Sequence, residues 1–202
     1  MKQIVNHRWF FWSILALPSI PMMLSVSQGG DPGSVLHPSG EFAARFMIFA
    51  MMLSPLLLLC RRMNWKTGWV MWLLKRRRAL GVAAFSYAFI HTIFYVLDVR
   101  LLQDMLAEFW SLGIWTGWLA FAIFIPMALT SNQASVVVLG NKWKMLQRGI
   151  YLAAVLTLIH WVFVHNNPGP ALANFVPLAL LEIYRVVHFI NERKEKLETA
   201  KI

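Results

Sequence analysis

Residues 77–98 read RRALGVAAFSYAFIHTIFYVLD: two arginines, an apolar run opening at Ala79, one imidazole at His91, and an acid at Asp98. A stretch of about 20 predominantly apolar residues is what a helix needs to cross a hydrocarbon core roughly 30 Å thick. Comparable runs occupy residues 9–26, 42–60, 114–131, 147–165 and 171–190. The sequence therefore predicts an all-α membrane protein, a bundle of six spans forming one domain over residues 1–202. Composition agrees: 58% of residues are hydrophobic and the mean hydropathy is +0.57, outside the ordinary globular range. Pro18 and Pro21 remove backbone donors from the first run and predict a kink there. No small-residue cleavage signal precedes Gln28-Gly29-Gly30, so the first run reads as a retained span.

The net charge of +10 falls in short clusters between apolar runs, which excludes a nucleic-acid surface and marks membrane topology instead. Seventeen basic residues, from Lys2 and Arg8 through the 61–78 and 142–148 connections to Arg193, Lys194, Lys196 and Lys201, fall on one side. Arg45 and Arg100 lie toward the other, among Asp31, Glu41, Asp98, Asp104 and Glu108. By the positive-inside rule both termini are cytoplasmic, in a multi-pass protein of a bacterial inner membrane. Trp65, Trp69 and Trp72, spaced for one helical face among basic neighbours, suit a helix lying in the headgroup layer. The single cysteine, Cys60, excludes an internal disulfide, a four-cysteine iron–sulfur cluster and a C-x-x-C-H haem attachment. No nucleotide-binding glycine motif follows a strand, so electrons or substrate must come from another molecule.

His91 and His160 stand at similar depth in the third and fifth spans, which run in the same direction. At about 1.5 Å per residue their levels differ by only about 3 Å. Intramembrane histidines are costly unless partnered, and two at one level predict a b-type haem held non-covalently between imidazoles. Such a site has no open coordination position and favours electron transfer. Ala84 and Ala88 precede His91 by seven and three residues, and Ala153 and Thr157 precede His160 likewise. These small residues leave room for a flat macrocycle, or simply let helices approach. Arg45 is a candidate for a haem propionate, with snorkelling to the headgroups as the plainer explanation. Glu182 and Arg185 share a helical face and neutralise one another. His37 and His165 read as residues of the outer connections, available to a quinone or a docking partner, and His7 and His188 as solvated.

A family resemblance runs through the same residues. Arg77-Arg78-Ala79-Leu80-Gly81 followed by Tyr87 and His91, with Gly30-Asp31-Pro32, Ser39-Gly40, Ser54-Pro55, Thr130-Ser131, Leu139-Gly140, Trp143, Leu146, Tyr151 and His160, resembles the MsrQ (YedZ) proteins over nearly the whole chain. These belong to the ferric reductase-like transmembrane group. The resemblance implies an electron-transfer subunit, not the catalytic one, with His91 and His160 as haem ligands. It implies electrons drawn from membrane quinones, or from a cytoplasmic flavin reductase, and passed to a periplasmic molybdopterin-containing methionine sulfoxide reductase of the MsrP kind. Arg76, Arg77 and Arg78 could hold a flavin phosphate if FMN binds, with topology marking as the plainer explanation of the cluster. One departure is Gln147, thirteen residues before His160, where such chains carry a further histidine; one haem is therefore expected. Two alternatives stay open at this stage: a stand-alone transmembrane metal or quinone reductase of the same fold, and a non-redox membrane protein whose histidines only pack.

Overall fold

The computed structural model describes residues 8–199, all of whose regular elements are helices. Lys2, His7 and Lys201 lie outside them. Helix α1 (Arg8–Ala16) and helix α2 (Ser19–Ser27) meet at a 50° bend. The bend sits at Pro18, whose ring occupies the nitrogen that would have bonded back along the helix. The Ser19 hydroxyl takes over the Ala16 carbonyl at 2.7 Å, so the break is capped within the chain.

Helix α3 (Gly33–Arg62) begins about nine residues before the expected start of the second span. Asp31 opens it: its carbonyl accepts from the Ser34 hydroxyl at 2.7 Å, and its side chain receives the Gly33 N–H at a long 3.4 Å. Pro38 falls only one turn inside and removes a single backbone bond, so the helix continues through it. The reading of His37 and His165 as connection residues is corrected on this point; His37 lies inside this helix, and His165 is the last residue of the helix Gly149–His165. The short helix α4 (Gly68–Leu74) follows. It leaves Trp69 exposed and turns Trp72 onto Phe11, edge to face at 5.6 Å, while Trp65 stands exposed in the connection before it and so does not share the expected helical face.

Helix α5 (Arg77–Val99) is the third span, and α6 (Leu102–Glu108) is a short connecting helix. Helix α7 (Leu112–Leu129) is the fourth span. The small helices α8 (Gln133–Leu139) and α9 (Asn141–Gln147) lead into α10 (Gly149–His165), the fifth. Helix α11 (Pro168–Thr199) overruns its expected end near residue 190, because the following Glu, Arg and Lys residues are good helix formers and no proline or glycine stops them. Among the described residues five helices, α9 and α10 counted together over Asn141–His165, are long and apolar enough to cross a membrane, and the bent α1–α2 pair, taken as one span, brings the number to six.

Two tight helix pairs organise the bundle, α3 with α5 and α7 with α10, and α11 lies against α3. In lipid the hydrophobic effect gives little drive for helices to associate, so van der Waals fit and internal hydrogen bonds decide. Small buried residues supply the fit: Ala84, Ala153 and Ala171 are almost wholly enclosed with Met47 and Phe124. Two buried hydroxyls in the seams are satisfied within the chain. The buried Thr116 hydroxyl donates to the Leu112 carbonyl at 2.6 Å, and the Tyr87 hydroxyl reaches the Leu15 carbonyl at 3.0 Å, tying α5 to α1.

Candidate functional site

His91 projects from α5 and His160 from α10, so each comes from a different helix pair. Their ring centres are 6.1 Å apart with planes crossed at 81°. Two collinear imidazole–metal bonds of about 2 Å each would set ring centres about 6.3 Å apart. The observed spacing therefore matches two rings that share one metal atom.

The backbone fixes which nitrogen each ring presents. His91 Nδ1 donates to the Leu36 carbonyl at 3.0 Å, with the Ser39 hydroxyl at 3.3 Å, and His160 Nδ1 donates to the Gly113 carbonyl at 2.7 Å. Each Nε2 is left as the lone-pair nitrogen, the arrangement that orients metal-binding histidines. One turn along from each carbonyl stands a glycine facing the same ring. A Cβ added at Gly40 would lie 3.1 Å from His91 Cε1, and one at Gly117 would lie 2.5 Å from His160 Nδ1. The two halves repeat one device: a carbonyl at position i and a glycine at i+4 on the partner helix hold the imidazole of its pair. The Gly113-x-x-x-Gly117 spacing, a small-residue contact signal in an apolar run, was legible in the sequence and points to half of it. Leu36 carries no such signal, because its contribution is a main-chain oxygen.

The rings stand in a cavity of about 120 Å³ between the pairs. Its middle is apolar, walled by Ala43, Ala44, Met47, Ala88, Phe121 and Phe124. Thr157 also lines it, while Ala153 is buried in the α10 packing seam and Ala84 walls a second cavity. His37, Glu41 and His165 lie on its wall beyond the ligand pair. His37 Nδ1 and His165 Nε2 are 3.0 Å apart, so these two histidines form a hydrogen-bonded pair across α3 and α10. Arg45 does not line the cavity. It lies about 100° round α3 from Ala44, exposed and ion-paired with Glu41 at 2.6 Å.

A second cavity, about 500 Å³, opens toward the other end of the bundle. Arg77, Arg78, Lys144 and Arg148 line it with Trp143 and Tyr151, and no histidine is among its lining residues. Arg77 also reaches the Ser54 hydroxyl at 3.3 Å. Gln147 turns its amide onto the Met127 carbonyl at 3.1 Å, using its donor within the protein. Nearby, Arg185 bridges Glu182 at 2.5 Å and the Tyr151 hydroxyl at 2.7 Å, as the helical spacing of the charged pair predicts.

No solved structure matches the chain. The family described as ferric reductase like transmembrane component matches residues 40–158, from Gly40 to two residues short of His160. Among curated relatives, the "Protein-methionine-sulfoxide reductase heme-binding subunit MsrQ" of Azospira oryzae is 34% identical over 174 residues, covering 82% of this chain and 71% of that one. Its namesake from Brucella melitensis biotype 2 is 29% identical over 202 residues, covering 94% and 88%. With that match over more than half its length and those relatives, this multi-pass membrane protein belongs to the ferric reductase-like transmembrane family and, within it, to the MsrQ group.

Proposed function

We propose that the chain holds one b-type haem between His91 and His160 and relays electrons from membrane quinol, or from a cytoplasmic flavin reductase, to a periplasmic molybdopterin methionine sulfoxide reductase. The observation that carries this reading is the crossed imidazole pair, 6.1 Å apart, with both Nδ1 atoms already committed to backbone carbonyls. Among the described residues no three His, Cys, Asp or Glu side chains converge to hold a metal. Two imidazoles alone make a weak site for a bare ion, so a metal bound there would bring its remaining ligands with it, as a macrocycle does. The relatives named as heme-binding subunits support the same assignment.

His91 and His160 would hold the haem, and the haem would supply a one-electron couple. What this chain contributes is orientation and exclusion. The Leu36 and Gly113 carbonyls hold the rings in one tautomer, and the alanine, methionine and phenylalanine walls keep water from the centre. With no imidazole on its wall and the Gln147 amide turned aside, the second cavity does not suit a second haem of the same kind. Its four cations beside Trp143 and Tyr151 suit an anionic aromatic cofactor, and FMN fits that description through Arg77 and Arg78. We assign the basic connections, and with them both termini, to the cytoplasm of a bacterial cell, which sets the haem in the outer half of the inner membrane. The whole of residues 1–202 then acts as a single domain.

A pyridine haemochrome assay on the purified full chain tests this directly. One haem b per chain is expected, lost in His91→Ala and in His160→Ala. A haem-replete preparation whose spectrum survives both substitutions rejects the ligand assignment.

A further inference from the structure

The outer end of the ligand cavity has polar groups that the imidazole pair does not use. Trp161 lines the cavity and is 4% exposed, and its Nε1 is buried without a hydrogen-bond partner. A buried indole N–H left unpaired in low dielectric costs free energy, so such a donor implies an acceptor. One turn further along α10, on the same face, is His165, 6.2 Å from the Trp161 ring and bonded to His37 of α3.

The pairing of the two histidines constrains what they offer. If His37 Nδ1 donates, His165 keeps its proton on Nδ1; if His165 Nε2 donates, His37 keeps its own on Nε2. Either way the neutral pair presents one free N–H, and a protonated pair presents two. With the buried, unpaired Trp161 N–H one turn away, the side chains at this end of the cavity carry two or three uncommitted donors. The one acid on this wall, Glu41, is already neutralised by Arg45 at 2.6 Å.

We infer that Trp161, His165 and His37 form a carboxylate clasp that grips the propionate groups of the macrocycle held by His91 and His160. This inference rests on the haem reading above. It assigns to a tryptophan and a histidine pair the role that the sequence had suggested for Arg45, which does not line the cavity and is ion-paired with Glu41. The donors lie on the two helices that flank the site, α3 and α10, one of which also carries a ligand. The clasp would therefore hold the macrocycle at a second point besides His91 and His160.

The test uses the full chain in detergent and measures haem dissociation to excess apomyoglobin. Trp161→Phe keeps the ring and removes the N–H; His165→Phe removes the pair. Each should speed dissociation about tenfold, the usual effect of losing a hydrogen bond to a charged group, while the bis-imidazole Soret and α bands stay unchanged. A second arm needs no variant. The parent protein reconstituted with haem dimethyl ester, whose carboxylates are masked, should release it at least as fast as the variants release haem. Adding Trp161→Phe should then cost nothing further. Dissociation within twofold of the parent in both variants and with the ester overturns the clasp while leaving the haem assignment intact. Variants that keep haem normally but lose only quinol oxidation overturn it too, and give these donors to a quinone carbonyl. A parent chain that never loads haem sinks the reading on which the clasp rests.

Discussion

Gly117 shows how much of the site rests on an absent side chain. A methyl group there would overlap His160 Nδ1 at 2.5 Å, while the same change at Gly40 meets His91 at 3.1 Å and needs only a small shift. The neighbour in the first case is a ring pinned to the Gly113 carbonyl at 2.7 Å, so it cannot yield without losing that bond. Overpacking of this kind costs roughly 1–3 kcal/mol. Gly117→Ala should therefore lower haem occupancy about tenfold at limiting haem, and Gly40→Ala by threefold at most, as read by titration of the two apoproteins. Equal losses would mean that the glycines act only in helix packing. Arg45 carries the opposite lesson. Its sequence position gives a depth but no direction: Arg45 is not among the residues that line the cavity, and its guanidinium is paired with Glu41, which is.

At the level of elements, the long apolar runs were readable because a membrane demands length and uniformity, and both show in one dimension. The third, fourth and fifth spans fall within about two residues of their expected ends. The kink at Pro18 was equally legible, since a missing N–H acts locally. What sequence reading missed was continuation. Helix α3 passes through Pro38 and α11 runs on through its charged tail, and neither proline nor charge is an obligatory stop. This matters for function, because the extended start of α3 brings the Leu36 carbonyl, Ser39 and His37 onto a rigid helix beside His91. Ala153 of α10 is fully enclosed in the core between the helices, whereas Leu152 just before it is 55% exposed. Ala153→Leu should lower stability in detergent by about 2 kcal/mol, with Leu152→Ala within about 0.5 kcal/mol of the parent; reversed effects in a thermal melt would contradict this packing.

Across the whole molecule, two helix pairs each hold one imidazole by the same carbonyl-and-glycine device, and the site forms where the pairs face each other. Neither pair contains the centre alone. That explains why the histidine levels were legible while most of the supporting contacts, main-chain oxygens and two glycines, were not, the Gly113-x-x-x-Gly117 spacing excepted. The basic and acidic ends of the bundle carry a topological prediction of their own. The native Cys60 is buried, so introduced cysteines can be read against a quiet background. A membrane-impermeant maleimide applied to intact spheroplasts should label a cysteine at Asp104 and spare one at Lys194; the reverse would invert the orientation and place the haem on the cytoplasmic side. The central claim, that His91 and His160 share one iron in the geometry their backbone anchors impose, is tested most directly by low-temperature EPR of the oxidised, purified chain. Rings crossed at 81° predict the highly anisotropic low-spin ferric signal of near-perpendicular axial imidazoles. An ordinary rhombic spectrum of parallel rings, or a high-spin signal from a single ligand, would contradict it.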